Sequence, residues 1–287
     1  MGARLGRDVY EETLRLFAPA RSLDPVAVKA HRDLRYGPHE RHRLSIFPPS
    51  DPSSSPVPVF LFVHGGGFVQ GDTTIPDTPF FDNIGQFAAA SNMVGITMTY
   101  RLAPADPWPA ASVDVEAAIA WIEREIGRFG GDGSKIVLVG SSAGAMAALG
   151  VLGAAGGMPA SIKAAILRSA IYDLPSLSDG PLKDALKLYY GADEHLWPAR
   201  LDRRVLAQAD IPLLLTLGQF DPPEIREQAR LGLEALIEGR KPHRFALLTD
   251  HNHYSVDLAT GSFDESVDAA MLQFLGGCAI LPSRAQP

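Results

Sequence analysis

Cysteine is almost missing from this sequence: Cys278 is the only one among 287 residues. An intrachain disulfide and a cysteine-based zinc cluster are therefore excluded. The thiol lies in an apolar stretch, where a buried packing role is expected over a reactive one. Positive charge is also in short supply. The formal net charge is −7, with 26 Lys and Arg against 33 Asp and Glu. That balance argues against nucleic acid and anionic membrane as partners. The amino terminus lacks an apolar core and carries Arg4, Arg7, Asp8, Glu11 and Glu12 instead. No secretory leader is expected from it, and a cytoplasmic location is. Position 6 is Gly, which speaks against myristoylation. The low-charge run 136–158 is interrupted by glycines, paired serines and a turn motif, so it reads as buried strand plus helix and not as a membrane span. No internal repeat is present. The one low-complexity piece, 48–58, contains five prolines and reads as a solvated loop between strands.

About half the residues are apolar, enough for a substantial core. Strand-like runs recur at 44–47, 59–63, 94–100, 136–140, 164–169, 212–217 and 245–249. Helical spacing appears between most of them, as in Val115, Ile119, Ile122 and Ile126, then Ile225, Ala229, Leu233 and Leu236, then Val267, Ala270, Met271 and Phe274. Alternation of this kind predicts one α/β domain over 1–287, a mainly parallel sheet with helices on both faces. Ligand sites in such sheets gather at the carboxyl ends of the strands. The helical N-terminal segment 1–35 and the stretch 172–205 fall outside this rhythm. They are expected either to form a small helical lid or to pack at the periphery.

The stretch Lys135–Gly144 joins an unalternating apolar strand to Gly-Ser-Ser-Ala-Gly and a small-residue helix. Gly-x-Ser-x-Gly in that context describes a strained strand-to-helix turn that presents one hydroxyl, that of Ser142. A second buried strand, 59–63, runs into His64-Gly-Gly-Gly-Phe68. Three successive glycines are entropically expensive. They suit a place where backbone N–H groups converge on a developing oxyanion, each donor lowering the barrier by about 3 kcal/mol. The candidates are the N–H groups of Gly66, Gly67 and Ala143, with Gly65 as a further one. No Lys-Ser/Thr follows the glycines, which disfavours a phosphate cradle. His64 reads as an orienting residue of the loop.

A triad acid and base should follow in the order Ser, Asp/Glu, His. Asp221 follows the strand 212–217; Glu224 and Asp173 are weaker substitutes. The base comes from Asp250-His-Asn-His-Tyr-Ser255, where His251 and His253 compete. On an extended segment both rings would share a face, which also suits a metal, but no third ligand cluster supports one. His31, His39, His42, His195 and His243 read as surface residues. Phe68, Phe80, Tyr172 and Trp197 are candidates to line an apolar pocket, with Phe68 and Trp197 taken as substrate-binding; for each of the four, packing in the core is the role expected first.

Taken together, these residues resemble the α/β-hydrolase fold, and within it the hormone-sensitive-lipase-like and arylformamidase-like esterases. His64-Gly-Gly-Gly67 is similar to the family's oxyanion motif, and Gly140-Ser-Ser-Ala-Gly144 to its elbow. Tyr100-Arg-Leu-Ala-Pro104, Trp108-Pro-Ala-Ala111 and Asp114 are similar to the link between a core strand and its next helix. The lipase-like branch usually has Asp at position 141 and Gly at 145, where Ser and Ala stand here. Arylformamidase-like relatives place an aromatic after the catalytic histidine, which selects His253-Tyr254 and keeps His251 as the alternative. The resemblance implies a carboxylesterase acting on small short-acyl or aromatic esters through Ser142, His253 and Asp221, without metal or organic cofactor. An amidase of the arylformamidase type is the alternative, and a non-catalytic small-molecule receptor the third reading. The expected partner is a small ester; a homodimer is compatible with the sequence.

Overall fold

The computed structural model describes residues 2–18, 28–50, 55–239 and 243–281. Parts of the expected segments 1–35 and 48–58 lie outside these residues. Eight strands form one sheet: β1 (His31–Arg35), β2 (Arg43–Phe47), β3 (Val57–Val63), β4 (Val94–Met98), β5 (Gly131–Ser141), β6 (Ile162–Arg168), β7 (Leu213–Phe220) and β8 (Arg244–Asn252). Their order is β1-β2-β4-β3-β5-β6-β7-β8. The pairs β1–β2 and β2–β4 are antiparallel, and every later pair is parallel.

Parallel neighbours need crossovers, and helices supply them. The helices are α1 (Arg7–Phe17), α2 (Asp82–Ala90), α3 (Ala110–Glu125), α4 (Ala143–Leu152), α5 (Pro181–Tyr190), α6 (Trp197–Arg200), α7 (Arg204–Gln208), α8 (Pro223–Glu238), α9 (Ser255–Leu258) and α10 (Ser266–Gly277). They cover both faces, so the central strands are apolar without alternation. The strand period of two still sorts the side chains. Val59, Leu61 and Val63 enter the core with α3 and α4, while Phe60 and Phe62 enter the one with α2 and α10.

The order of the strands creates the site. β3 and β5 are neighbours, so the glycine loop after one lies beside the turn after the other. β6, β7 and β8 follow in sequence, and the segments leaving them stand in a row at the same end.

Two elements depart from expectation. Residues 31–35 are a strand, not part of a helical segment. β1 is mostly exposed at the sheet edge, so its His-Arg-Asp-Leu-Arg sequence has no apolar alternation to announce it. α2 also went unread, although its Ile84, Phe87 and Ala88 pack in the core. Among the described residues no helix is long and apolar enough to cross a membrane.

Candidate active site

Ser142 stands between β5 and α4 at φ 52° and ψ −118°. Such a backbone costs a residue with a Cβ about 1–3 kcal/mol. The turn is tight because its glycines let backbones touch. A Cβ on Gly140 would overlap Gly144 and Ala145, and one on Gly144 would overlap the Val63 carbonyl. The Ser142 N–H donates to Arg168 O at 2.8 Å, which fixes the turn to the end of β6.

His253 follows β8, and its Nε2 is 3.1 Å from Ser142 Oγ. Its Nδ1 is 2.7 Å from Asp221 Oδ1. Asp221, and neither Glu224 nor Asp173, meets the imidazole. It is fully buried just beyond β7. Its second oxygen accepts from Ser169 Oγ at 2.6 Å and from Gly218 N at 2.7 Å. Three donors on one carboxylate are what make an ionised group tolerable away from water. With Nδ1 facing the carboxylate, the ring proton sits there and Nε2 is left to accept the serine proton.

His251 faces other partners. Its Nδ1 lies 3.1 Å from Ser255 Oγ and its Nε2 2.9 Å from Ser266 Oγ. Asp264 is 3.3 Å from the same Nε2. β8 ends at Asn252, so the chain turns before His253 and the two rings do not share a strand face. Burial lowers the pKa of His251. Among the described residues no group of three or more His, Cys, Asp or Glu could hold a metal ion.

The glycine loop crosses directly over Ser142. A Cβ on Gly65 would lie 3.2 Å from both Ser142 Cβ and Ser141 O. Gly65 and Gly66 line the cavity around Ser142; Gly67, at φ 63°, is not among the lining residues. Ala143 is the first residue of α4, so its N–H has no partner within the helix. His64 lies under the loop, with Nδ1 donating to Gly65 O at 2.6 Å. Its ring stacks on Tyr100 at 4.4 Å, and the Tyr100 hydroxyl donates to His64 O at 3.0 Å. Burial pulls the His64 pKa down to about 4, so at neutral pH it is an uncharged support. Arg41 holds the far end, donating to Gly71 O at 2.8 Å and Tyr100 O at 2.7 Å.

The motif after β4 does similar work. Arg101 grips the buried Asp114 carboxylate through Nε at 2.9 Å and Nη2 at 2.7 Å. His42 Nε2 is 3.1 Å from the same carboxylate. His42 is therefore buried, stacked on Tyr36, and not the surface residue its polar context suggested.

A cavity of about 790 Å³ opens beside Ser142 and His253, within the usual size of a small-molecule site. Its walls include Tyr10, Glu11 and Leu14 from α1, then Gln70, Ile75, Phe81, Tyr254 and Leu258. The N-terminal helix thus faces the site. It is held there by an edge-on contact of Tyr10 with Tyr254 at 5.2 Å and by Asn252 Nδ2 donating to Thr13 Oγ1 at 2.9 Å.

The expected substrate residues Phe68 and Trp197 do not line this cavity. Phe68 is fully buried at φ 65° and stacks on Tyr189 at 3.8 Å. Trp197 is fully buried and donates to Gly191 O at 2.9 Å. Phe80 and Tyr172 are buried too and do not line the cavity. No residue of 172–205 lines it either, because α5 packs its Tyr189 and Tyr190 beneath Phe68. The sequence reading also passed over Ser169, whose one signal was a small hydroxyl residue at the end of a core strand.

Residues 60–208 match the family described as alpha/beta hydrolase fold, and the chain belongs to that family. Esterase LipI of Mycobacterium tuberculosis is 33% identical over 193 residues, covering 61% of this chain and 59% of the relative. The para-nitrobenzyl esterase of Bacillus subtilis is 27% identical over 268 residues, covering 81% and 52%. The chain therefore spans between half and three-fifths of the length of these two curated relatives. Among solved structures, esterase B from Lactobacillus rhamnosis superposes with a TM-score of 0.77 at 18% identity, covering 96% of this chain and 93% of that one. The esterase from Pyrobaculum calidifontis gives 0.72 at 22% identity, covering 96% and 92%. These likenesses establish the fold.

Proposed function

We propose that this protein is a single-domain carboxylesterase, hydrolysing small short-acyl or aromatic esters by a two-step acyl transfer. The observation that carries the reading is the unbroken line Ser142 Oγ–His253 Nε2 at 3.1 Å and His253 Nδ1–Asp221 Oδ1 at 2.7 Å, opening onto one cavity. In the first step Ser142 Oγ attacks the ester carbonyl while His253 Nε2 takes its proton. Asp221 keeps the ring in the required tautomer and stabilises the imidazolium. The proton then passes to the departing alkoxide, and the alcohol leaves. In the second step His253 takes a proton from water, which attacks the acyl-serine; the proton then passes to Ser142 Oγ as the bond to the acyl group breaks and the acid leaves. The oxyanion of each tetrahedral intermediate is received by the N–H of Ala143 together with N–H groups of the glycine loop: Gly66 on the cavity wall, with Gly67 next to it and Gly65 as the alternative second donor. The positive end of α4 points the same way.

Names of the relatives agree with ester hydrolysis as the chemistry. The test is a fluorophosphonate adduct mapped by mass spectrometry, followed by p-nitrophenyl esters of increasing acyl length. Labelling at Ser142, with turnover abolished in Ser142→Ala, is expected. Persistent turnover in Ser142→Ala would defeat the assignment. Hydrolysis of N-formylkynurenine in preference to every ester would move the reaction to the formamide class.

A further inference from the structure

We infer that Ser169 is a positioning residue of the triad, acting through its hydroxyl on the carboxylate of Asp221; this rests on the hydrolase reading above. Asp221 Oδ1 is occupied by His253. The orientation of the carboxylate is then decided by what holds Oδ2, and two donors do: Gly218 N at 2.7 Å and Ser169 Oγ at 2.6 Å. The Gly218 bond belongs to the local turn, where Asp221 N also donates back to Gly218 O at 3.0 Å. Gly218 lies in β7, the strand that carries Asp221 at its end, so this bond ties the acid only to its own strand. Ser169 stands just past the end of the neighbouring strand β6 and ties the acid across to it.

The backbone of Ser169 shows the same purpose. It is buried and sits at φ 47°, a left-handed conformation that disfavours a residue with a Cβ. Glycine would be the relaxed choice. A serine held there, with its only described side-chain bond going to Asp221, is explained by that bond. Its neighbour Arg168 accepts the Ser142 N–H through its carbonyl and pairs with Asp257, three residues beyond Tyr254 in α9. The dipeptide at the end of β6 therefore touches the mountings of nucleophile, base and acid.

A donor on Oδ2 draws charge away from His253. Its removal should make the carboxylate a stronger partner for the imidazolium and move the histidine titration upward. Other titratable and charged groups surround the pair, and Arg7, Tyr10, Glu11 and Asp72 line the same cavity; the substitutions alter none of them. Burial holds the Tyr172 phenol far above its usual range, Tyr254 packs edge-on against His253, and Asp257 is paired with Arg168.

The experiment compares wild type, Ser169→Ala and Ser169→Gly by kcat and KM over pH 5–9 on a short p-nitrophenyl ester. Stoichiometric fluorophosphonate labelling of Ser142 serves as the check of folding. Both variants should show kcat reduced about tenfold, KM within about twofold, and an acid limb displaced upward by about half a pH unit. Wild-type kcat and acid limb in both variants would overturn the inference. So would a defect in Ser169→Ala that Ser169→Gly repairs, since strain alone would then be at work. Should Ser169→Ala fail to fold, Ser169→Gly, which relieves the φ, decides alone. Wild type that neither labels nor turns over any ester would instead defeat the hydrolase reading itself.

Discussion

Removing the Asp257 carboxylate should destabilise the fold more than removing its partner Arg168, although both belong to one ion pair. The pair joins Arg168 Nη1 to Asp257 Oδ1 at 2.9 Å, with side-chain exposures of 1% and 10%. Breaking a buried pair from one side typically costs about 3–5 kcal/mol, because the other charge is stranded. The two sides differ here. In Asp257→Ala the stranded group is a guanidinium whose side chain is only 1% exposed. Its Nε already lacks a hydrogen-bond partner, and what remains is Thr260 Oγ1 at 3.3 Å, the Met271 sulfur and the face of the Phe62 ring at 5.9 Å. In Arg168→Met the stranded group is a carboxylate that borders the cavity and can be hydrated from it. We expect about 3–5 kcal/mol for Asp257→Ala and about 2 kcal/mol for Arg168→Met. The double variant should fall close to Arg168→Met, since no charge is left stranded. Urea unfolding followed by tryptophan fluorescence measures all three, with an unchanged slope as the check on comparability. The asymmetry argument is refuted if Asp257→Ala lies within about 1 kcal/mol of wild type, or if Arg168→Met proves the costlier change.

Three further outcomes are expected. Asp221→Asn should keep the fold but lower kcat by about 10⁴, because the amide no longer enforces the tautomer; steady-state kinetics with circular dichroism will show it. His251→Ala should keep most of the esterase activity while His253→Ala loses it, and the reverse result in the same ester assay would reassign the base. The third concerns acid. His64 is held neutral, with its pKa lowered by burial from 6.5 to about 4. The unfolded chain takes up this proton below pH 6.5 and the folded chain does not, so stability is full above that pH and declines as pH falls. The loss from this one group should reach about 3 kcal/mol at pH 4. Denaturation midpoints between pH 4 and 7 should show this component in wild type and lack it in His64→Asn.

What could be read from residues alone was whatever is written locally. Buried parallel strands announce themselves as unbroken Val, Ile and Leu, and the elbow is a five-residue pattern between a strand and a helix. The strand after which Asp221 lies was equally plain. The choice between His251 and His253 depended on where β8 ends, a matter of one residue, and alternation carried on too far would have put both rings on one face. Phe68 depends on a different kind of information. Its neighbourhood in the chain is the glycine loop, but its neighbours in space are Tyr189 and Tyr190 on α5. Whether an aromatic ring lines a cavity or fills a core is decided by partners a hundred residues away. β1 gave no pattern because an exposed edge strand need not have one, and its charges discourage pairing with a second sheet. Ser169 was silent since a single hydroxyl at a strand end has no spacing to recognise.

The positive φ angles of Ser142 and Ser169 have a consequence for engineering. Both lie where core strands leave the sheet, and both would be relaxed by glycine. A screen that selects only for heat resistance should therefore favour glycine at these two positions and return sturdier proteins with an impaired or silent site. At these two positions the forgone stability is tied to the proposed triad, so improvements compatible with turnover are to be sought elsewhere, at positive-φ residues such as Asn92 and Ala279, on the helices and on the edge strand.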